Sequence, residues 1–311
     1  MSTTTLRRGT PAQVAATAHA FASELGFAPD ECLHVNVLEL GKTSSVYRLS
    51  WRNPTPGSCI LKQCAPVAGR RERALYESVV PALPLPKPHY FGSREDEERS
   101  VWLVLEDAGD TEPSLESPGS RSLLTEWAAS LHVRGAQLTV GDLPDAGPNH
   151  FASRLADAES ELEKRLADEE VDDDEADVLL RCAERCRELD ALWPLITRTC
   201  SAFPRTIVHG DLVEENLRLL PVNDGHVLLA LDWESAGWGV PAIDLARVDP
   251  DLYWDRTSSW LGGTRDEFDR LVLAGQIFGV FTDRWAAKSV PKVERVEARL
   301  ATLVTHEAWA A

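Results

Sequence analysis

Between Ile207 and Glu234 the sequence specifies one local architecture. An apolar entry, Ile207-Val208, leads into His209-Gly210-Asp211-Leu212-Val213-Glu214-Glu215-Asn216. The chain then passes Asn223-Asp224-Gly225 and returns along Val227 to Leu231 into Asp232-Trp233-Glu234. Asn-Asp-Gly is strong turn chemistry, because Asn and Asp bond to nearby backbone and Gly accepts positive φ without a steric cost. The runs on either side of it predict a β-hairpin. A hairpin doubles back, so it carries Asp232 to the end of the ribbon where Asn216 stands. Asp211 precedes that Asn by five residues in a tight polar loop.

These residue types suit phosphoryl transfer. That chemistry needs a carboxylate to orient an attacking hydroxyl, which fits Asp211 as the catalytic candidate. It also needs oxygen ligands that hold magnesium against nucleotide phosphates, which fits Asn216 and Asp232 as the metal candidates. An Asp-x-x-x-x-Asn is unspecific by itself; the joint pattern of loop, hairpin and returning Asp carries the weight.

The same segments resemble the aminoglycoside phosphotransferase and choline kinase-like family, small-molecule kinases with a protein-kinase-like fold. The family's loop commonly reads His-Gly-Asp-x-x-x-x-Asn, and its metal-binding Asp commonly sits in Asp-Trp-Glu. Gly239-Val240-Pro241-Ala242-Ile243-Asp244-Leu245-Ala246 resembles the family's Gly-x-Pro-x-x-Asp-Leu-Ala. The resemblance makes Asp244 a brace of the catalytic loop. A plain helix cap is compatible with that role.

The N-terminal third supplies the other parts. Thr10-Pro11 followed by Val14, Ala18, Phe21 and Leu25 predicts a capped helix that Gly26 ends. His34 to Leu40 and Ser45 to Trp51 read as strands, joined by the small-residue loop Gly41-Lys42-Thr43-Ser44-Ser45. Backbone N–H groups in such a loop can approach phosphates. Ahead of Val46-Tyr47-Arg48 it resembles the family's phosphate loop, which implicates Ser44 and Ser45 in cofactor binding. After a turn at Asn53 to Gly57, Lys62 stands among apolar residues on a short strand, where its ammonium needs a partner. In kinases this lysine contacts the nucleotide phosphates and pairs with a helix glutamate. Glu72, on a helix predicted to end near Pro81, matches the family position, and Glu77 is the alternative. Val101 to Leu105 forms an apolar strand that stops at Glu106-Asp107. The family's hinge lies there, with backbone near Glu106 and Ala108 meeting the adenine edge.

The remainder reads as helical: Arg121 to Leu138, Phe151 to Thr199, residues 264–288 and residues 291–308. His132 reads as a packed, hydrogen-bonded core residue rather than a catalyst. Core packing is the default for Trp254 and Trp260; they also follow Asp-Leu-Ala where the family shapes its acceptor pocket, and an aromatic wall there suits a cation or a sugar ring.

Charge and cysteine usage narrow the function classes. A formal charge of −18 argues against nucleic acid or an anionic membrane as the main partner. Residues 151–190 hold fifteen Asp/Glu against six Lys/Arg, half of that net charge. The tract reads as solvated helix surface or, more sharply, as a negative wall that draws a cationic acceptor. The six cysteines are scattered without a metal-binding spacing, which fits reduced thiols and a cytoplasmic setting. No apolar run is long enough to cross a membrane and the N-terminus lacks a signal-peptide core.

The resulting expectation is an α+β, two-lobed protein-kinase-like fold. A small antiparallel-sheet nucleotide-binding lobe spans residues 1–106, and a larger mainly helical catalytic and acceptor-binding lobe spans residues 107–311. The resemblance implies ATP or another nucleoside triphosphate, Mg2+ and a small hydroxyl acceptor that carries an amine, such as an aminoglycoside, an aminosugar or a choline-like compound. It leaves the acceptor's identity and the oligomeric state open. A nucleotide-binding pseudokinase acting as a sensor or partner would lack one of Lys62, Asp211, Asn216 and Asp232, and all four are present. A protein kinase needs an activation segment and Ala-Pro-Glu, whereas only Ser235 to Pro241 separates Asp-Trp-Glu from the next helix region.

Overall fold

A computed structural model of the chain describes residues 9–21, 25, 34–52, 56–139, 141, 143–169, 171–223, 225–283 and 285–309. The expected helix stop at Gly26, Cys32, most of the turn at Asn53 to Gly57, and Asp224 at the hairpin tip lie outside these residues. In chain order come α1 (Pro11–Ala20), β1 (His34–Leu40), β2 (Ser44–Trp51), β3 (Gly57–Cys64), α2 (Pro66–Ala74), β4 (Tyr90–Glu95) and β5 (Val101–Glu106). Then follow α3 (Pro118–Gly135), α4 (Pro148–Leu166), α5 (Asp173–Ser201), β6 (Thr206–Val208), β7 (Leu217–Val222), β8 (Gly225–Ala230) and β9 (Gly237–Gly239). The chain closes with α6 (Ala242–Leu245), α7 (Pro250–Leu261), α8 (Arg265–Val280) and α9 (Val290–Val304). Among the described residues no helix is long and apolar enough to cross a membrane.

The chain forms two compact units, Met1–Pro113 with Glu214–Glu234, and Ser114–Val213 with Ser235–Ala311. The first is built on an antiparallel sheet of order β1-β2-β3-β5-β4. Alternation along the strands gives this sheet two distinct faces. Tyr47, Leu49, Trp51, Cys59, Leu61, Trp102 and Val104 pack under Val14, Ala18, Phe21 and Leu25 as one apolar core. The helix carrying Val14 and Ala18 begins with a capping box, in which Thr10 and Gln13 satisfy each other's backbone N–H. The residues between them, Val46, Arg48, Ile60 and Lys62, face a cavity instead.

Lys62 lies in the middle of the sheet, opposite Val46 on β2 and Leu103 on β5. The helix α2 crosses close to this strand. A side chain at Gly69 would come within 2.5 Å of Val101 Cβ and 2.8 Å of Cys64 Cβ, so only glycine allows the approach. One turn later this brings Glu72 to Lys62. The helix predicted to end near Pro81 continues through a π-helical turn, Leu75–Val79, and a 3-10 turn, Val80–Ala82. The expected hairpin forms as β7 and β8, with Leu217 opposite Ala230 and Val222 opposite Gly225. The strand β4 was not evident from pattern, because a register shift beside Gly92 and its charged end break the alternation.

The second unit is mainly helical. Here α4 and α9 pack on α5, α3 packs on α7, and α6 packs on α8. Three-residue strands β6 and β9 pair with Val208 opposite Gly237. Thr206 Oγ1 donates to the His132 carbonyl at 2.7 Å, which fixes the entry to the polar loop against α3. The predicted helix over 264–288 stops at Val280. α7, which the sequence pattern did not reveal as a helix, starts from Asp249, whose side chain accepts from Leu252 N–H.

Candidate active site

In the first unit, Lys62 is buried with its ammonium between two carboxylates. Its Nζ lies 2.8 Å from Glu72 Oε2, 3.0 Å from Oε1, and 2.8 Å from Asp232 Oδ1. Burial alone would strip the charge from this lysine. The fields of Glu72 and Asp232 outweigh it and hold the ammonium's pKa well above the ordinary value. Glu72 is itself driven up by burial, against the pull of Lys62, with Asp232's charge adding to the rise. Two carboxylates share one cation here. Glu77, the alternative partner, instead accepts from Tyr90 Oη at 3.2 Å.

Asp232 has φ +59°, in the left-handed region that non-glycine residues rarely occupy. Such backbone strain persists where the surroundings over-determine it, and it concentrates at functional sites. Ligand oxygens of Glu72, Asp232 and Glu234 lie within 4.8 Å of one another. A set of hard carboxylate oxygens of this kind fits a divalent cation such as magnesium.

Lys62, Glu72 and Asp232 line a cavity of about 400 Å3, with Asn216, Glu106 and Ala108 also on its wall. Lys62, Glu72, Asn216, Asp232, Glu106 and Ala108 are thus brought together within one unit. Ser44 and Ser45 do not line the cavity. They are the first residues of β2, paired with Cys64 and Gln63, and both are buried. The hairpin turn is shorter than the sequence suggests, and the two serines belong to the sheet rather than to a loop. Sequence reasoning also passed over Arg48 and Arg218 on the cavity wall. The signal for Arg48 was available, since it stands two residues from Val46 and shares its face of the strand.

Asp211 stands in the second unit, partly buried, just after Gly210. The loop that holds it is braced by Asp244, which accepts from His209 N–H and Gly210 N–H at 2.8 Å each. Asp244 Oδ2 also lies 3.0 Å from His132 Nε2, and His132 Nδ1 lies 2.7 Å from Tyr253 Oη. A carboxylate accepts only, so Nε2 carries the proton, and Nδ1 is left to bond the Tyr253 hydroxyl. Burial pushes the Asp244 carboxyl up, but the bond from His132, the nearby imidazoles and Gly210 N–H overcome it and hold its pKa below the usual range. All four residues of this network other than Gly210 are fully enclosed. His132 is thus the packed, hydrogen-bonded core residue expected, and His209 contributes its backbone while its ring meets Trp127 edge-on at 6.0 Å.

Trp254 packs on Phe268 with ring centroids 5.0 Å apart. Asp172, Asp173 and Asp174 are exposed at the start of α5, where Asp172 caps the helix and acidic groups complement its dipole. Local helix chemistry accounts for that part of the acidic tract.

Comparison with known proteins gives a consistent picture. Residues 34–278 match the model of the Phosphotransferase enzyme family. No curated protein matches the sequence. Among solved structures, choline kinase from Cryptosporidium parvum Iowa II is 13% identical with a TM-score of 0.60, covering 93% of this chain and 94% of its own. Aminoglycoside phosphotransferase APH(4)-Ia is 16% identical with a TM-score of 0.58, covering 94% and 98%. Ethanolamine kinase from Plasmodium vivax is 13% identical with a TM-score of 0.57, covering 97% and 90%. A thermostable mutant of APH(4)-Ia has been crystallised in a ternary complex with AMP-PNP and hygromycin B. At these identities the likeness is one of fold, and it is the two-lobed kinase-like fold expected from the sequence.

Proposed function

This chain belongs to the phosphotransferase enzyme family and is a small-molecule kinase, and from that premise we propose that it moves the γ-phosphoryl group of ATP to a hydroxyl of an amine-bearing acceptor. The observation that carries the reading is the placement of Lys62 between Glu72 and Asp232, at a cavity that Asn216 also lines. In this reading residues 1–106 hold the nucleotide together with the hairpin of β7 and β8, and the rest of the chain holds the acceptor. Lys62 binds phosphate oxygens, Glu72 orients Lys62, and backbone at Glu106 and Ala108 meets the base. Asn216 and Asp232 would hold magnesium, which when bound neutralises charge on the phosphates.

Asp211 orients the acceptor hydroxyl for in-line attack. A carboxylate is a weak base at neutral pH, so it positions the nucleophile and takes the proton late. Asp244 keeps the loop in place during that step. ATP use is supported by the AMP-PNP and ADP complexes of the structural neighbour. An amine-bearing acceptor is supported by the net charge of −18 and by neighbours that phosphorylate aminoglycosides, choline and ethanolamine. A cytoplasmic setting fits the five described cysteines, all free and buried.

The test is ADP release from Mg-ATP across a panel of hydroxyl compounds with and without amines. At least one amine-bearing compound should stimulate turnover. Asp211→Asn should lower that turnover by about 10²–10⁴-fold while Mg-ATP still binds. Turnover that survives the substitution removes Asp211 from the reaction. A panel in which only neutral compounds respond removes the amine.

A further inference from the structure

Arg48 on β2 and Arg218 on β7 close from two sides on the segment that follows β5. Arg48 Nε meets Asp107 Oδ2 at 2.8 Å, and its Nη2 meets Asp107 Oδ1 at 3.0 Å. The same guanidinium meets Asp110 through Nη2 at 2.6 Å and Nη1 at 2.9 Å. From the other side, Arg218 Nε donates to the Gly109 carbonyl at 3.1 Å and Leu219 N–H donates to the Thr111 carbonyl at 2.8 Å. Arg218 Nη1 also stands 3.4 Å from Glu112. Asp107 Oδ1 accepts from Gly109 N–H at 3.0 Å, and Gly109 takes φ +77°.

Residues 107–112 form no strand or helix. Their shape depends on these side-chain contacts rather than on a backbone ladder. Yet Asp107, Ala108, Gly109 and Glu112 line the same cavity as Lys62, as do both arginines. We infer that Arg48 and Arg218 are positioning residues for the nucleotide, a clamp that holds Asp107 to Glu112 as the wall against which base and sugar bind. The inference rests on the nucleotide-binding reading of this cavity.

The chemistry explains why arginine is needed. A guanidinium is a planar fork that grips carboxylate oxygens in pairs, and an ammonium is a point charge that cannot. Arg48 faces two carboxylates, so its charge is already balanced and it is not a phosphate ligand. The two contacts are unequal. Asp107 is largely buried, whereas Asp110 is mostly exposed and its pairing is screened by water. Asp107 is therefore the anchor of the clamp.

Calorimetry with three ligands tests this: Mg-ATP, adenosine, and magnesium tripolyphosphate. Arg48→Met and Arg218→Met should each weaken Mg-ATP and adenosine by about tenfold and leave tripolyphosphate within about twofold of wild type. Arg48→Lys should recover only part of the loss, Asp107→Asn should resemble Arg48→Met, and Asp110→Asn should have the smallest effect. Wild-type affinity for adenosine and Mg-ATP in both methionine variants would overturn the clamp. Equal losses for all three ligands would also overturn it, because they report a general structural defect. A wild-type protein that binds no Mg-ATP would instead remove the nucleotide reading, and the clamp with it.

Discussion

Lys62 in the first unit and Asp244 in the second are both buried charges, but they are satisfied in different ways. Lys62 is held by other ions, and one of them, Asp232, keeps 29% of its side chain exposed at the cavity. Asp244 is held by hydrogen-bond donors: two backbone N–H groups and His132, which Tyr253 backs in turn. An ion cluster with more negative than positive charge can redistribute its partners when a charged ligand arrives. A carboxylate fixed by backbone donors cannot, because each bond ties it to a particular loop conformation. The first arrangement suits binding and the second suits bracing.

The largest effect expected from this contrast is at Asp244. Asp244→Ala leaves two backbone N–H groups and His132 Nε2 without their acceptor. Removing one partner of such a buried charged set costs about 3–5 kcal/mol. Urea unfolding measures it, and a loss under about 1 kcal/mol would mean that water replaces the brace. The pH dependence has a definite sign. Because the folded-state pKa of Asp244 is lowered, its contribution is present above the unfolded value of about 3.9 and is lost as pH falls through the folded value. The gap between wild type and Asp244→Asn should therefore stay constant near neutral pH and narrow only in stronger acid. Melting temperatures across a pH series would expose any narrowing near neutrality.

The brace can also be disturbed without touching a polar group. A Cβ at Gly275 on α8 would come 1.8 Å from the carbonyl oxygen of Ala242, two residues before Asp244 on α6. Gly275→Ala must push α6 away, and overpacking of this kind costs about 1–3 kcal/mol or more. If the brace acts as argued, phosphoryl transfer falls with stability in this variant, while Mg-ATP affinity, which belongs to the first unit, holds. Intact transfer at reduced stability would separate Asp244 from the loop.

The two regions also differed in how readable they were. Lys62 announced itself because an ammonium in an apolar strand needs an explanation, and Asp232 because a hairpin with clear turn chemistry ends on it. Glu72 against Glu77 was not decidable from spacing; Gly69 settles it by letting α2 approach the sheet at one point. Asp244 was visible through its motif, but Tyr253 was not, since a tyrosine nine residues away in an aromatic-rich segment looks like ordinary core. The pairing of Arg48 was hidden for another reason. Its partners lie 59 and 62 residues distant in a segment without secondary structure, and no local pattern encodes that pairing. Ser44 and Ser45 could not be assigned to loop or strand from sequence, because small residues mark both phosphate loops and tight hairpins.

Lys62→Met tests the ion cluster by removing its ammonium and keeping most of the side-chain volume. Glu72 is fully buried, so its carboxylate loses its main source of stabilisation. The loss should be smaller than at Asp244, about 1–3 kcal/mol, because Asp232 faces the cavity and water can reach it. The effect on ligand should be the larger one: tripolyphosphate binding, unaffected by the arginine clamp, should be largely lost here. Retained tripolyphosphate affinity would move phosphate recognition elsewhere.

Tyr253→Phe is the smallest change and the most discriminating. It removes one hydrogen bond, worth about 0.5–1.5 kcal/mol, from the outer end of the brace. His132 Nδ1 then loses its hydroxyl partner, and the ring loses the contact that fixes its orientation toward Asp244. If the network acts as a chain, the loss passes through His132 to the backbone of His209 and Gly210. Turnover should then fall by more than the stability change implies, with Mg-ATP affinity unaltered. The double variant with His132→Gln supplies the decisive arm. In a chain, removing Tyr253 after His132 costs nothing further, so the two effects are less than additive. Full additivity in stability and in turnover would reduce Tyr253 to an ordinary core residue and leave Asp244 braced from one side only.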